Sequence, residues 1–310
     1  MSALSLANRV AVVTGAGGGL GRAYALELAR GGAVVVVNDT GGSVDGTAGS
    51  TTPAQAVVDE IEAAGGRAVA STDSVATVEG GEAIVATAVE TFGRIDVVVN
   101  NAGILRDKSF AKLDWDDFRA VHDVHLRGAA YVSRPAFRHM QEQGYGRLVF
   151  IASNAGTFGN FGQAAYGSAK TGVIGLSNVL AIEGARAGVL SNVVCPIART
   201  RMTEAILAGD PEDADAFGAE HVAPLVAYLS SEACHETHMV FSAGAGHFAR
   251  VTTGLTSGWG GSGDKPATVE DIALHIEQIL DPSDVAHPLS AADELQLLGE
   301  RREALRTHGG

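Results

Sequence analysis

The chain has 310 residues, 46% of them apolar and 19% charged, and a net charge of −14. That length holds one large α/β domain or two small ones with a full core, and the acidic balance argues against nucleic acid or an anionic membrane surface as a partner. No apolar run reaches the roughly 20 residues of a membrane span, and no signal peptide is legible at the N-terminus. The two cysteines, Cys195 and Cys234, lack metal-ligand spacing, which suits a reducing, cytoplasmic setting without metal or disulfide.

Short β-branched runs alternate with helical patterns from the start. The runs predict strands at 9–14, 33–38, 67–71, 96–100, 147–152, 190–195 and 238–241. Helices are expected near 19–31, 53–65, 76–92, 113–142, 163–188 and 219–231. Continuously apolar strands such as "IDVVVN" need a sheet covered on both faces. The alternation therefore predicts an α/β, Rossmann-type doubly wound parallel sheet with right-handed crossovers. One domain is expected over 1–255, and a helical C-terminal extension over 256–310. Gly- and Ser-rich stretches at 40–53 and 256–266 read as loops.

The first strand runs into "TGAGGGLG", where Gly15, Gly19 and Gly21 give TGxxxGxG. Glycine lets backbone N–H groups approach a phosphate, and the helix opening near Leu20 points its positive end the same way. The same residues also suit a plain βα turn, and their spacing differs from GxGxxG. The second strand ends in Asp39, 18 residues after Gly21. An acid there accepts from ribose hydroxyls and repels a 2′-phosphate, which favours NAD over NADP; alternatively it is a turn residue. Asp73, Ser74 and Val75 end the third strand, where an adenine ring would rest, although Asp73 equally suits a helix cap. The fourth strand ends in Asn100, Asn101 and Gly103, good turn and bridging groups beside the expected crevice.

Further on, "VFIASNAG" places Ser153 at the end of the fifth strand, and "YGSAK" puts Tyr166 and Lys170 on one helix face at i, i+4. Lysine is scarce here, at positions 108, 112, 170 and 265. A free phenol, with pKa about 10, is a poor base at neutral pH, but an adjacent ammonium favours phenolate. Ser153 would hold a substrate oxygen while the phenol removes its proton. The bland alternative is a polar helix face and a capping serine.

Together, TGxxxGxG, NNAG, Ser153 and YxxxK resemble the short-chain dehydrogenase/reductase family over roughly residues 5–250. Longer stretches, among them "GRIDVVVNNAGILRDKSF" and "GNFGQAAYGSAKTG", are similar to the dehydrogenase domains of the family's type 2 multifunctional enzymes. That resemblance implies NAD-dependent oxidation of a (3R)-3-hydroxyacyl-CoA to the 3-ketoacyl-CoA, with 17β-hydroxysteroid oxidation as the alternative and a non-catalytic NAD sensor as a remoter one. It implies that Tyr166 and Lys170 also contact the cofactor, as Ile197 and Thr200 do after "CPI". It places His125, in "HLRG", where most members carry a catalytic asparagine, either as a proton-relay group or as a packing residue. It also implies a homodimer or homotetramer, paired through helices 113–142 and 163–188. Arg106, Lys108 and Lys112 are the cations expected near the CoA phosphates. Neither a hydratase domain nor a peroxisomal C-terminal signal is legible, so a free-standing enzyme is expected.

Overall fold

Valine-rich runs build the centre of the molecule. Val10–Thr14 (β1), Val34–Asn38 (β2), Arg67–Ser71 (β3), Val97–Asn100 (β4), Gly146–Ile151 (β5), Val189–Ile197 (β6) and Met239–Gly244 (β7) pair in parallel. His247–Val251 (β8) extends the sheet, whose order is β3-β2-β1-β4-β5-β6-β7-β8. The computed structural model describes residues 5–42, 52–199, 215–261 and 265–308. The order reverses between β1 and β4, and the crevice outside their carboxyl ends is where such sheets bind ligands.

Side chains alternate across the sheet as the pleat requires. Ala11 and Val13 face one core with Tyr24, Leu28, Ile61 and Leu229, from helices α1 (Gly19–Arg30), α2 (Thr52–Ala63) and α8 (Ala223–Ser230). Val10 and Val12 face the other, with Ile84, Val132, Met140 and Val173. These come from α3 (Val78–Phe92), α5 (Gly128–Gln143) and α7 (Ala164–Gly184).

Three expectations need correction. The helix expected over 113–142 is broken: α4 (Trp115–His122) passes into a π-helical segment, Asp123–Arg127, before α5 begins. A short helix, α6 (Asn154–Thr157), follows β5. The last expected strand is longer than 238–241 and turns back as β8 through Ala245 and Gly246, at φ +48° and +72°. Two successive left-handed residues make a tight hairpin turn that no apolar period announces.

The chain divides into two compact units between Arg250 and Val251. In the second, β9 (Leu255–Thr256) pairs antiparallel with β10 (Val285–Ala286). Thr268 and Asp271 form a capping box on α9 (Val269–Leu274), which leads into α10 (Ile276–Leu280). Arg301, on α11 (Ala291–His308), donates to the Thr256 carbonyl at 2.9 Å.

Candidate active site

The carboxyl ends of β1 to β4 open onto a cavity of about 440 Å³, and Gly15, Gly19, Leu20 and Gly21 line it. Asn101 staples the loop to β4. Its Nδ2 donates to the carbonyls of Thr14 and Gly15 at 2.9 and 3.1 Å. In return Thr14 Oγ1 accepts the N–H groups of Asn101 and Ala102, both at 3.0 Å. This brings the two turns so close that a Cβ on Gly15, itself at φ +64°, would lie 2.8 Å from Ala102 Cα. Glycine is required there both for space and for conformation.

Asp39 lines the same cavity. One carboxylate oxygen accepts the Gly17 N–H at 2.8 Å, the other the Gly41 N–H at 2.7 Å. Asp73, Ser74 and Val75 line the wall past β3. Asn38 Nδ2 donates to the Asp73 carbonyl at 2.9 Å. Asp73 is not the cap of α3; Thr77 is, accepting the Gly80 N–H at 3.0 Å. Loop amides, a clamped carboxylate and a groove along the strand ends fit a nicotinamide dinucleotide. Ile197 ends β6 opposite Gly244 and is not among the lining residues. Thr200 lies outside the described residues.

Ser153, Tyr166 and Lys170 come together across α6 and α7. Ser153 caps α6, its Oγ accepting the Ala155 N–H at 3.1 Å, and it also hydrogen-bonds the Tyr166 phenol. The cap that its sequence position allowed is therefore present, and the same hydroxyl meets the phenol. Lys170 is buried, and Nζ donates to the Ile151 carbonyl and lies 5.6 Å from the Tyr166 ring centroid. Burial pulls its ammonium down to about 8. Burial likewise pushes the phenol up to about 12, against the Ser153 hydrogen bond. The expected depression of Tyr166 by Lys170 is thus absent in the free protein: desolvation wins, and the ammonium is committed to a carbonyl rather than to the phenol oxygen. Beneath them, Cys195 accepts a backbone hydrogen bond from Ser153, and burial raises its thiol to about 11.

His125, in the π-helical segment, is buried. Its Nε2 lies 3.1 Å from Ile104 N and 2.8 Å from Ile104 O. Its ring meets the Tyr166 ring edge-on, centroids 5.1 Å apart. Desolvation, with help from Lys170, holds the imidazole well below its ordinary pKa. Among the described residues, Nδ1 has no hydrogen-bond partner. A chamber of about 10 Å³, lined by Thr14, Asn100, His125 and Lys170 among others, has room for about one water. A Cβ on Gly103 would come within 2.3 Å of His125 Cε1, so the imidazole needs that glycine.

Several working residues escaped the sequence reading. Thr14 is one, although its place before Gly15 at a strand end was a usable signal. Another is the pair Gln163 and Asp107, joined at 2.7 Å between loops 56 residues apart. Two of the three expected CoA cations are already engaged: Arg106 and Lys108 both pair with Asp117, at 3.0 and 2.6 Å, whereas Lys112 is exposed.

A groove along the strand ends, with a buried serine and lysine and a half-buried tyrosine near it, defines an oxidoreductase of the Rossmann type. The family model described as short chain dehydrogenase matches residues 9–210, and the chain belongs to that family. It is 48% identical over 289 residues to the peroxisomal multifunctional enzyme type 2 of Mus musculus, covering 93% of this chain and 38% of that one. A hydroxyacyl-CoA dehydrogenase of Mycobacterium tuberculosis is 40% identical over 249 residues, 75% of this chain and 76% of its own. Among solved structures, the full-length peroxisomal multifunctional enzyme type 2 of Drosophila melanogaster superposes with a TM-score of 0.81 at 37% identity, covering 98% of this chain and 51% of that one. The chain thus spans about a third to a half of these multifunctional relatives.

Proposed function

We propose that this chain is an NAD-dependent dehydrogenase that oxidises the C3 hydroxyl of a (3R)-3-hydroxyacyl-CoA to the ketone. The observation that carries the chemistry is the cluster of buried Ser153 and Lys170 with half-buried Tyr166, near the cavity that Asp39 lines. The substrate class is supported by the names of the relatives, hydroxyacyl-CoA dehydrogenase among them. NAD over NADP is supported by Asp39, whose carboxylate would face a 2′-phosphate.

When bound, the nicotinamide supplies the hydride acceptor. Ser153 holds the substrate oxygen through its hydroxyl, and Tyr166, once it has released its own proton to water, takes the alcohol proton as phenolate. In the free protein that phenol is protonated at neutral pH, so it is set to give a proton in the reverse, ketone-reducing direction. His125 acts as a positioning residue: it packs on Tyr166 and ties the turn after β4 through Ile104. The exposed Val179 and Ile182 on α7 support pairing of two copies through that helix.

The test is a rise in NADH absorbance with (3R)-3-hydroxyacyl-CoA thioesters, run beside 17β-hydroxysteroids and beside NADP. Turnover of thioesters with NAD at the higher kcat/KM is the expected outcome. A steroid as the better substrate, or no turnover of either, overturns the reading.

A further inference from the structure

The segment joining the two catalytic residues carries apolar groups that the proton chemistry does not use. Phe158 and Phe161 stand five residues after Ser153 and five before Tyr166, and are 75% and 90% exposed. They are not on a loose loop. Each is followed by a left-handed glycine, Gly159 at φ +83° and Gly162 at φ +80°. Phe158 N–H donates to the Asn154 carbonyl at 2.8 Å, and Lys108 N–H to the Gly162 carbonyl at 3.0 Å. Asn160 Nδ2 donates to Gln163 Oε1 at 2.9 Å, and Gln163 Nε2 to Asp107 at 2.7 Å. A segment with this many ties holds two phenyl rings out in water, where apolar area forfeits stability.

The facing segment repeats the pattern with Phe110 and Trp115, 72% and 63% exposed. Of the five aromatic residues exposed among the described residues, four therefore lie on these two tied segments, the fifth being Phe248. Such concentration marks a contact site rather than scattered exposure. The contact it invites is apolar. The nearby cations Arg106 and Lys108 are paired with Asp117, which leaves Lys112 as the exposed cation beside the four rings.

We infer that Phe158 and Phe161, with Phe110 and Trp115, form the subsite for the apolar tail of the substrate, and that the preferred thioester carries a long acyl chain. This rests on the proposed hydroxyacyl-CoA reading. A substrate whose C3 hydroxyl reaches Ser153 and Tyr166 lies at both ends of the segment that bears the two phenylalanines. Its tail passes over rings five residues away, at most about 17 Å along the chain. The charged CoA end is then directed away from Arg106 and Lys108, contrary to their sequence-based assignment.

The experiment compares kcat/KM for four-, eight- and sixteen-carbon (3R)-3-hydroxyacyl-CoA, below micelle-forming concentrations. The proteins are the unmodified chain, Phe158→Ser/Phe161→Ser and Phe158→Leu/Phe161→Leu. Each buried methylene sets a scale of up to about fourfold. The unmodified enzyme should favour sixteen over four carbons by at least about tenfold. The serine variant should lose about that factor from the ratio, and the leucine variant should keep most of it. NADH binding by fluorescence verifies that each variant is folded. If the unmodified enzyme treats all lengths alike, or the serine variant keeps the ratio, the subsite is disproved while the hydroxyacyl-CoA reading stands. If the serine variant keeps the ratio but sediments as a smaller species, the rings belong to an interface between copies instead. If no thioester is oxidised at any length, the proposed function itself falls, and the subsite with it.

Discussion

The rings of His125 and Tyr166 meet edge to face, with centroids 5.1 Å apart and planes at 86°. This contact joins the turn after β4 to the proposed acid–base group, because the same imidazole is bonded to Ile104. Removing it in His125→Ala should lower kcat by about tenfold or more, the scale expected when a general acid–base group loses its alignment. Binding of NADH, measured by fluorescence, should change little. Since His125 is held well below its ordinary pKa, it stays neutral and contributes stability that is present above about 6.5 and lost as pH falls below it. Urea unfolding of the wild type should weaken more than that of His125→Asn between pH 6.5 and 5.

Tyr166→Phe removes the phenol oxygen and keeps the ring that packs on His125. Turnover should fall by about 10²–10⁴-fold, with NADH affinity within a factor of a few. Activity within threefold of wild type would sink the assignment of Tyr166 as the acid–base group.

Asp39→Ala removes a carboxylate that clamps Gly17 and Gly41 as well as one that would meet the ribose. The variant should lose most of its preference for NAD over NADP in kcat/KM. Its affinity for both should drop, because the glycine loop loses its tether. An unmodified enzyme with equal kcat/KM for the two cofactors would contradict the role given to Asp39.

Lys170→Met should abolish activity, and its stability relative to wild type should depend on pH in a defined direction. Burial holds Lys170 near 8 in the folded state, against an ordinary value of 10.5 in the unfolded chain. Between those values the unfolded chain binds the proton and the folded one does not, so wild-type stability rises with pH. Below pH 8 both states are protonated and the full cost of the buried ammonium is present. The difference in unfolding free energy, Met variant minus wild type, should therefore be constant below pH 8 and fall as pH rises toward 10.5. A difference that does not change across that range would show that the lysine is not desolvated as described.

The sheet was legible because its strands are buried on both faces: the valine runs of β1, β2 and β4 leave little else for them to be. The glycine loop, Asn101 and the Ser153–Tyr166–Lys170 set were legible for a related reason, since each sits at a strand end or one helical turn apart. What escaped depends on contacts between distant segments. Nothing local in Asp107 or Gln163 says that they meet, and Asp117 does not advertise that it engages two cations. The direction of the Tyr166 shift was misread because spacing gives proximity to Lys170 but not the depth of burial, and here depth decides. β8 was missed because a hairpin set by two left-handed residues leaves little trace in hydrophobic period.

The π-helical turn at Asp123–Arg127 amounts to one residue more than a regular helix would use. Each helical residue turns the chain by roughly 100°, so this surplus residue is what swings His125 round against Gly103 and Tyr166. A single-codon deletion there would give a smoother helix and carry the imidazole off to another side. Local backbone regularity and a working site therefore pull in opposite directions at this turn. Drift toward a more regular helix would be checked here by loss of turnover rather than by loss of folding.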